Sequence, residues 1–454
     1  MIWLDTHLVT VVISAAALLA TLFVLQQRRT PQSAAAWLLF IVVVPWLALP
    51  LFLMLGFRKQ GSRYPAIPFT GTAASRADPA GGPAEALRAF GIPAACTGSA
   101  LHLHRDGQEA WEALLALVDS ATSRIDVTLY LIENDAVGRD LLARLEARAA
   151  EGIAVRLLVD ELGGFLRPRG ALRALSRAGG EVRTFSPLLR LPSKGHFNLR
   201  NHRKTVIADN TRVWAGGRNA GASYLGPEAD PTRWDDISYT LEGGAAVRTI
   251  DEVFRSDWAT AGGNPPEPAP EVPPAPGATA CVQPVPSGPD VRGDPFHDVL
   301  VQMIHAATSR VWIHTPYFLP TEGLGAALAT AARRGVDVRI TVPDRSNHRV
   351  TDFARGGYLR ALEDAGATIL RRPTMSHAKM AVIDAAAWTG SPNVDIRSML
   401  LNFELALFVY DAPSVAWLAN WYEASGTGAQ RGLPPASFWR RLAEGVFRLG
   451  APLL

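Results

Sequence analysis

Cysteine is scarce in this chain, with two in 454 residues. Cys96 and Cys281 stand far apart, which leaves no disulfide framework and no cysteine-rich metal cluster, and suits a reducing compartment. Excess charge is also lacking: the formal net charge is +3 and the sequence pI about 9.0. A dedicated nucleic-acid binder carries a larger basic excess, so no nucleic-acid partner is expected. Most locally, Leu8 to Leu25 and Ala34 to Phe57 contain no charged residue at all.

Those two stretches are each long enough to cross a hydrocarbon core, which takes roughly 20 apolar residues. The preceding Met-Ile-Trp-Leu-Asp-Thr-His has no Lys or Arg and carries Asp5, unlike a cleavable signal peptide. The pattern predicts a two-helix transmembrane hairpin over residues 1–59, with spans at 8–25 and 34–57. Pro45 and Pro50 are tolerable kinks inside the second span. Arg28 and Arg29 lie between the spans, and Arg58, Lys59 and Arg63 follow them. The positive-inside rule therefore tips the C-terminal part to the cytoplasm by about one charge.

Residues 60–95 are rich in Ala, Gly and Pro and read as a linker; 261–283 is denser still in Pro, a composition that favours extended, semi-rigid chain. The linkers delimit a first lobe at 96–260 and a second at 284–454.

The lobes repeat one another. His202-Arg-Lys204, Asp209 and Gly216-Gly217-Arg-Asn219 return as His377-Ala-Lys379, Asp384 and Gly390-Ser391-Pro-Asn393. Thr122-Ser123-Arg124 returns as Thr308-Ser309-Arg310, and Ala149-Ala150 through Arg156 as Ala331-Ala332 through Arg339. A single H-x-K-x4-D carries little information; two copies, each leading into an apolar run, carry a great deal. Each half reads as alternating strand and helix, which implies α/β units around a sheet. The architecture expected is two pseudo-twofold-related lobes, each a mixed sheet flanked by helices, with the active site at the seam.

His and Lys two apart on a strand point to one face. Two such faces would gather His202, Lys204, His377 and Lys379, with Asn219 and Asn393 adding amide donors around a phosphate. Two imidazoles suit a two-step displacement in which one attacks phosphorus and the other manages the alcohol protons. No metal and no cofactor is needed for that. Asp236 (34 residues after His202) and Glu404 (27 after His377) are candidates to orient the imidazoles, with Asp235 as rival to Asp236. Asp209 and Asp384 belong to the catalytic signature but follow the strand, and read as pins for its end. Arg203 faces away, as a surface or ion-paired residue or a phosphate contact. His196 and His314 read more simply as satisfied core or surface groups than as pocket residues, and Trp214, Trp234 and Phe403 as core.

The duplicated H-x-K-x4-D resembles the signature of the phospholipase D superfamily. Within it, Arg200-Asn201-His202-Arg203-Lys204, Thr315-Pro316-Tyr317-Phe318 and the run Gly390 to Glu404 are similar to those of bacterial cardiolipin synthases. The N-terminal hairpin, with Trp37 and Pro45, is similar too, so that the resemblance spans about residues 5–440. Asp209-Asn210 departs from the group's usual Asp-Gly, and Trp46-Leu-Ala48 from its Gly after the Pro; neither touches the donor set.

The resemblance implies phospholipase D-like lobes, no metal, and a bacterial inner-membrane enzyme whose partner is membrane phospholipid. Two phosphatidylglycerols would become cardiolipin and glycerol through a phosphatidyl-histidine. His202 would be the nucleophile and His377 the acid/base, with the near-symmetric motifs leaving the reverse open. Hydrolysis by a membrane-bound phospholipase D, transfer to another alcohol, and a non-catalytic membrane scaffold are the rival readings; a scaffold fits poorly with four intact His and Lys residues. The sequence gives no oligomeric state.

Overall fold

A computed structural model describes residues 2–26, 31–56, 64–70, 82–164, 167–186, 198–268 and 271–449. His196 and the five basic residues used for orientation lie outside that description.

The N-terminal helices are α1 (Ile2–Gln26), α2 (Pro31–Val43) and α3 (Pro45–Leu55). The second apolar stretch is thus two helices rather than one, because the residue before a proline is pushed out of the helical region; Val44 sits at φ −138° and ψ 62°. Pro50 is absorbed inside α3. The three helices pack around Val24, Ile41, Ala48 and Phe52, with Phe52 edge-on to Phe23 and Trp37. Among the described residues no helix is long and apolar enough to cross a membrane; the side chains of residues 1–6 and 9 are outside that description.

The first lobe contains β1 (Cys96–His104), β2 (Arg124–Leu129), β3 (Ala154–Asp160), β4 (Glu181–Phe185), β5 (Thr205–Ala208), β6 (Arg212–Gly216) and β7 (Ser238–Glu242). The second contains β8 (Ala280–Ser287), β9 (Arg310–His314), β10 (Phe318–Leu319), β11 (Asp337–Pro343), β12 (Thr368–Arg372), β13 (Met380–Ile383), β14 (Ala386–Gly390), β15 (Val394–Asp395), β16 (Glu404–Val409) and β17 (Gln430–Arg431). Strand structure therefore begins at Ala280, inside the stretch read as linker up to 283, and a helix, α4 (Pro83–Ala89), falls inside 60–95.

Fifteen strands form one continuous sheet in the order β17-β12-β11-β9-β13-β14-β16-β8-β1-β7-β6-β5-β2-β3-β4. Leaving out β17, the order reads alike from either end, and its centre is the antiparallel pair β8–β1. Each lobe is mixed: β2-β3-β4 and β9-β11-β12 are parallel, while β5 and β13 run antiparallel to their neighbours. β2, β5, β13 and β14 are buried at every position, as strands covered on both faces must be.

The covering helices are α5 (Gly107–Asp119), α6 (Ala136–Ala150), α7 (Arg169–Arg177) and α8 (Gly244–Thr260) in the first lobe. The second has α9 (Pro295–Ala306), α10 (Glu322–Arg333), α11 (Arg349–Asp364), α12 (Ile396–Leu400), α13 (Ala412–Ser425) and α14 (Phe438–Leu449). Side-chain caps fix several starts: Asp106 on α5, Asp135 on α6, Thr321 on α10, Asp395 on α12 and Asp411 on α13.

Candidate active site

The His-x-Lys segments lie just before their strands rather than on them: β5 starts at Thr205 and β13 at Met380. Each extended segment pairs instead with the opposite lobe. His202 N donates to Phe403 O at 2.8 Å and Phe403 N to Arg200 O at 2.9 Å; His377 N donates to Asp235 O at 2.7 Å. These bridges place Glu404 beside His202 and Asp236 beside His377.

The imidazoles are therefore held crosswise. His202 Nδ1 lies 3.1 and 3.0 Å from the Glu404 carboxylate oxygens, and His377 Nδ1 lies 2.7 Å from Asp236 Oδ2. A ring that donates Nδ1–H to a carboxylate keeps its Nε2 lone pair for chemistry. Glu404 is itself held by the Ser391 hydroxyl, in a short contact, and by Asn402 Nδ2 at 3.4 Å. Asp236 accepts from Ile237 N at 2.8 Å, and a Cβ at Gly217 would strike its carboxylate, so glycine is needed there to seat it. Asp235, the rival, gives its backbone oxygen to His377 and its carboxylate to Arg372 at 2.6 Å.

Both lysines are buried and turn back on their own motif. Lys204 Nζ donates to His202 O at 2.6 Å. Lys379 Nζ donates to His377 O and also lies 2.8 Å from His377 Nδ1. That nitrogen cannot donate to Asp236 and accept from Lys379 at once, so the carboxylate holds the Nδ1 proton and Lys379 is satisfied by the carbonyl. Asn219 and Asn393 are buried, and their side-chain oxygens meet no hydrogen-bond partner among the described residues.

Electrostatics agree with one shared site. Burial lowers His202 despite the Glu404 charge, and Lys204 and Lys379 lower it further. Burial and then Lys379 push His377 down to about 3, with Lys204 contributing from the other motif. Burial drops Lys204 well below its ordinary value and brings Lys379 to about 8. Burial alone would raise the two carboxyls. The Lys379 charge and His377 outweigh it for Asp236, and His202 and Lys204 outweigh it for Glu404, so both end lowered.

Asp209 and Asp384 lie apart from this set. Asp209 accepts from the backbone N–H groups of Thr122, Ser123 and Arg124, and from the first two hydroxyls, at 2.7 to 3.2 Å. Asp384 does the same for Thr308, Ser309 and Arg310 at 2.7 to 3.0 Å. Both adopt positive φ, 52° and 48°. The repeated Thr-Ser-Arg and the motif Asp are thus one clasp, joining the start of β2 or β9 to the turn after β5 or β13, and the hydrogen bonds of both carboxylates go to that clasp.

Arg203 is no phosphate contact either: its guanidinium meets Asp257 at 2.6 Å and Asp290 at 2.9 and 3.1 Å. His314 is buried against Trp421 and Tyr422, and burial lowers it to about 3. Trp214 and Phe403 are core. Trp234 is only half-buried and lies 6.0 Å from the His377 ring. An aromatic wall that the spacing did not reveal completes the site: Tyr130 stands edge-on to His202 at 4.9 Å, and Tyr224 to His377 at 5.0 Å. Among the described residues no cluster of His, Cys, Asp or Glu could hold a metal ion.

The paired motifs on a duplicated sheet match a known family model, described as the cardiolipin synthase phospholipase D-like domain, over residues 114–258 and 300–425. The chain belongs to this family. It is 35% identical to cardiolipin synthase A of Pseudomonas fluorescens over 68% of this chain and 65% of that one, slightly under two thirds of the relative's length. Against the major cardiolipin synthase of Bacillus subtilis it is 33% identical over 77% of this chain and 74% of that one. The solved phosphatidylserine synthase of Haemophilus influenzae shares the fold, with a TM-score of 0.57 at 15% identity, over 78% of this chain and 93% of that one.

Proposed function

We propose that this chain is a cardiolipin synthase, moving a phosphatidyl group from one phosphatidylglycerol to the terminal hydroxyl of another and releasing glycerol. The observation that carries the proposal is the crossed pair of imidazoles, each with Nδ1 on a buried carboxylate of the opposite lobe and each beside a buried lysine.

In the first step His202 Nε2 attacks phosphorus, the bond from phosphorus to the glycerol oxygen breaks, and His377 gives that oxygen its proton. Burial keeps His377 neutral in the empty site; the phosphodiester's negative charge favours the imidazolium when lipid is bound. In the second step His377 takes the proton of the incoming hydroxyl, the new oxygen–phosphorus bond forms, and the nitrogen–phosphorus bond breaks. Lys204, Lys379, Asn219 and Asn393 balance charge on the non-bridging oxygens. Glu404 favours His202 as nucleophile, because both its oxygens face a ring that becomes cationic on bonding phosphorus. Burial and then the nearby Lys379 charge lower His377, which suits a ring that must release its proton.

The helices α1–α3 are assigned to the bilayer of a bacterial inner membrane, with the lobes on its cytoplasmic side. Supporting this, Val12, Leu19, Val42 and Trp46 are more than half exposed, a surface water does not favour.

The test is purified protein in phosphatidylglycerol liposomes, with lipid products and glycerol followed together. About one glycerol per cardiolipin is expected from the displacement chemistry. Phosphatidic acid with glycerol and no cardiolipin would make the chain a hydrolase and overturn the transferase reading.

A further inference from the structure

The C-terminal helix α14 is docked by its charged side. Glu444 is 3% exposed and accepts from Arg360 at 3.2 Å and Arg440 at 2.9 Å. A Cβ at Gly356 of α11 would strike this carboxylate, so α11 provides a notch for it. Phe447 packs on Phe353 with ring centres 5.3 Å apart, and the Arg440 guanidinium covers the same ring.

The opposite face is apolar and turned outward. Phe438, Leu442 and Val446, each four residues apart, are 72%, 50% and 57% exposed, and Trp439 beside them is 73% exposed. An amphipathic helix of a globular protein buries its apolar stripe and shows its charges; here that order is reversed. A contiguous apolar patch of this kind marks an interaction surface.

Charge selects the partner. The helix carries Arg440, Arg441 and Arg448 against one acid, Glu444. Arg440 and Glu444 pair with each other on the docked side, which leaves the exposed Arg441 and Arg448 flanking the apolar face, Arg448 with its guanidinium 5.9 Å from the Tyr358 ring. Cationic residues beside Trp, Phe and Leu suit an anionic lipid interface. Position agrees: His348, at the start of α11, lies 5.1 Å from the Tyr317 ring, which is 6.5 Å from the His377 ring. From His348 to Gly356 is about 12 Å along the helix.

We propose that α14 lies flat on an anionic phospholipid surface with its apolar face in the headgroup boundary, and holds that surface beside the His377 side of the site. The proposal deepens, and rests on, the reading of the chain as a lipid transferase.

The experiment uses full-length protein in phosphatidylglycerol-containing vesicles. Leu442→Cys, in a Cys281→Ser background, carries a fluorophore, and the vesicles hold lipid with a nitroxide near the headgroup. Quenching at 442 several-fold stronger than at a label on Glu151→Cys in the first lobe is expected. Equal quenching at both positions overturns the proposal. So does disulfide crosslinking of Leu442→Cys between two copies without quenching, which would assign the face to a second chain.

A second variant, Leu442→Glu with Val446→Glu, should raise KM for vesicle lipid by about tenfold. Turnover of detergent-dispersed lipid should be unchanged; an unchanged vesicle KM counts against the docking role. Quenching is read without turnover, so failure of the transferase reading leaves it intact and the two failures are distinguishable.

Discussion

Glu404 begins β16 of the second lobe, yet its carboxylate holds His202 of the first, 3.0 and 3.1 Å from Nδ1. Asp236 of the first lobe returns the arrangement to His377 at 2.7 Å. Neither lobe contains a complete histidine–carboxylate pair, so both pairs form only when the two lobes are folded and joined across β8–β1.

The exchange predicts the outcome of Glu404→Gln. The amide keeps the shape and can still meet Ser391, but it cannot stabilise a cationic ring or fix the Nδ1–H tautomer. Turnover should fall roughly 10²- to 10⁴-fold with KM little changed. Asp236→Asn should behave alike. A fall under about threefold in both, in folded protein, would reduce the carboxylates to packing groups.

His377→Ala should leave His202 able to attack phosphorus, slowly because the departing glycerol must then take its proton from water, and without a base to complete the second step. Labelled phosphatidylglycerol is expected to leave up to one phosphatidyl group per protein on His202, and no turnover, while His202→Ala forms no adduct. An adduct in His202→Ala alone would reverse the assignment, and sustained turnover in either variant would remove the two-histidine mechanism. Excess chelator should leave the wild-type rate intact.

Much of this was legible in the residues because the gene repeats itself. The offset between copies falls from 186 at Thr122 and Thr308 to 175 at His202 and His377, and one lobe therefore checks the other. The Thr-Ser-Arg repeat was visible, but its purpose was not: only the turn at positive φ brings Asp209 back onto Thr122. The crossing of Glu404 to His202 joins residues 202 apart in sequence, and spacing carries no information about a contact made through a pseudo-twofold. Tyr130 and Tyr224 were missed because a lone tyrosine in a loop has no periodic signature. Phe-Trp-Arg-Arg-Leu sets apolar and basic residues side by side, but which face of α14 meets α11 is decided by Gly356 and Glu444.

Lys379 sets an alkaline limit. Burial brings its ammonium down to about 8, so its charge is present below that pH and lost above it. The rate on phosphatidylglycerol, as kcat/KM, should decline as pH rises through about 8. Lys379→Arg, which does not deprotonate in this range, should lose activity overall and lose the decline at about pH 8. The same decline in that variant would move the titration to another group.

Asp384 should matter for stability more than for chemistry. Its carboxylate serves three backbone N–H groups and two hydroxyls, and those bonds hold it far below its ordinary 3.8. Asp209, in the same clasp, is lowered to about 2. A carboxyl depressed by folding contributes stability above its unfolded value and loses it as pH falls through the folded one. Asp384→Asn should therefore cost roughly 1–3 kcal/mol at neutral pH. The gap from wild type should narrow as pH falls below about 4, where the unfolded chain's carboxyl takes up its proton while the folded one stays charged, and should go on narrowing toward the lowered folded value. Urea midpoints at pH 7 and near pH 3 would show this, with kcat of the folded variant within about tenfold of wild type. A gap independent of pH would mean that the charge of Asp384 does not stabilise the clasp. A loss of kcat matching that of His377→Ala would return Asp384 to the catalytic group.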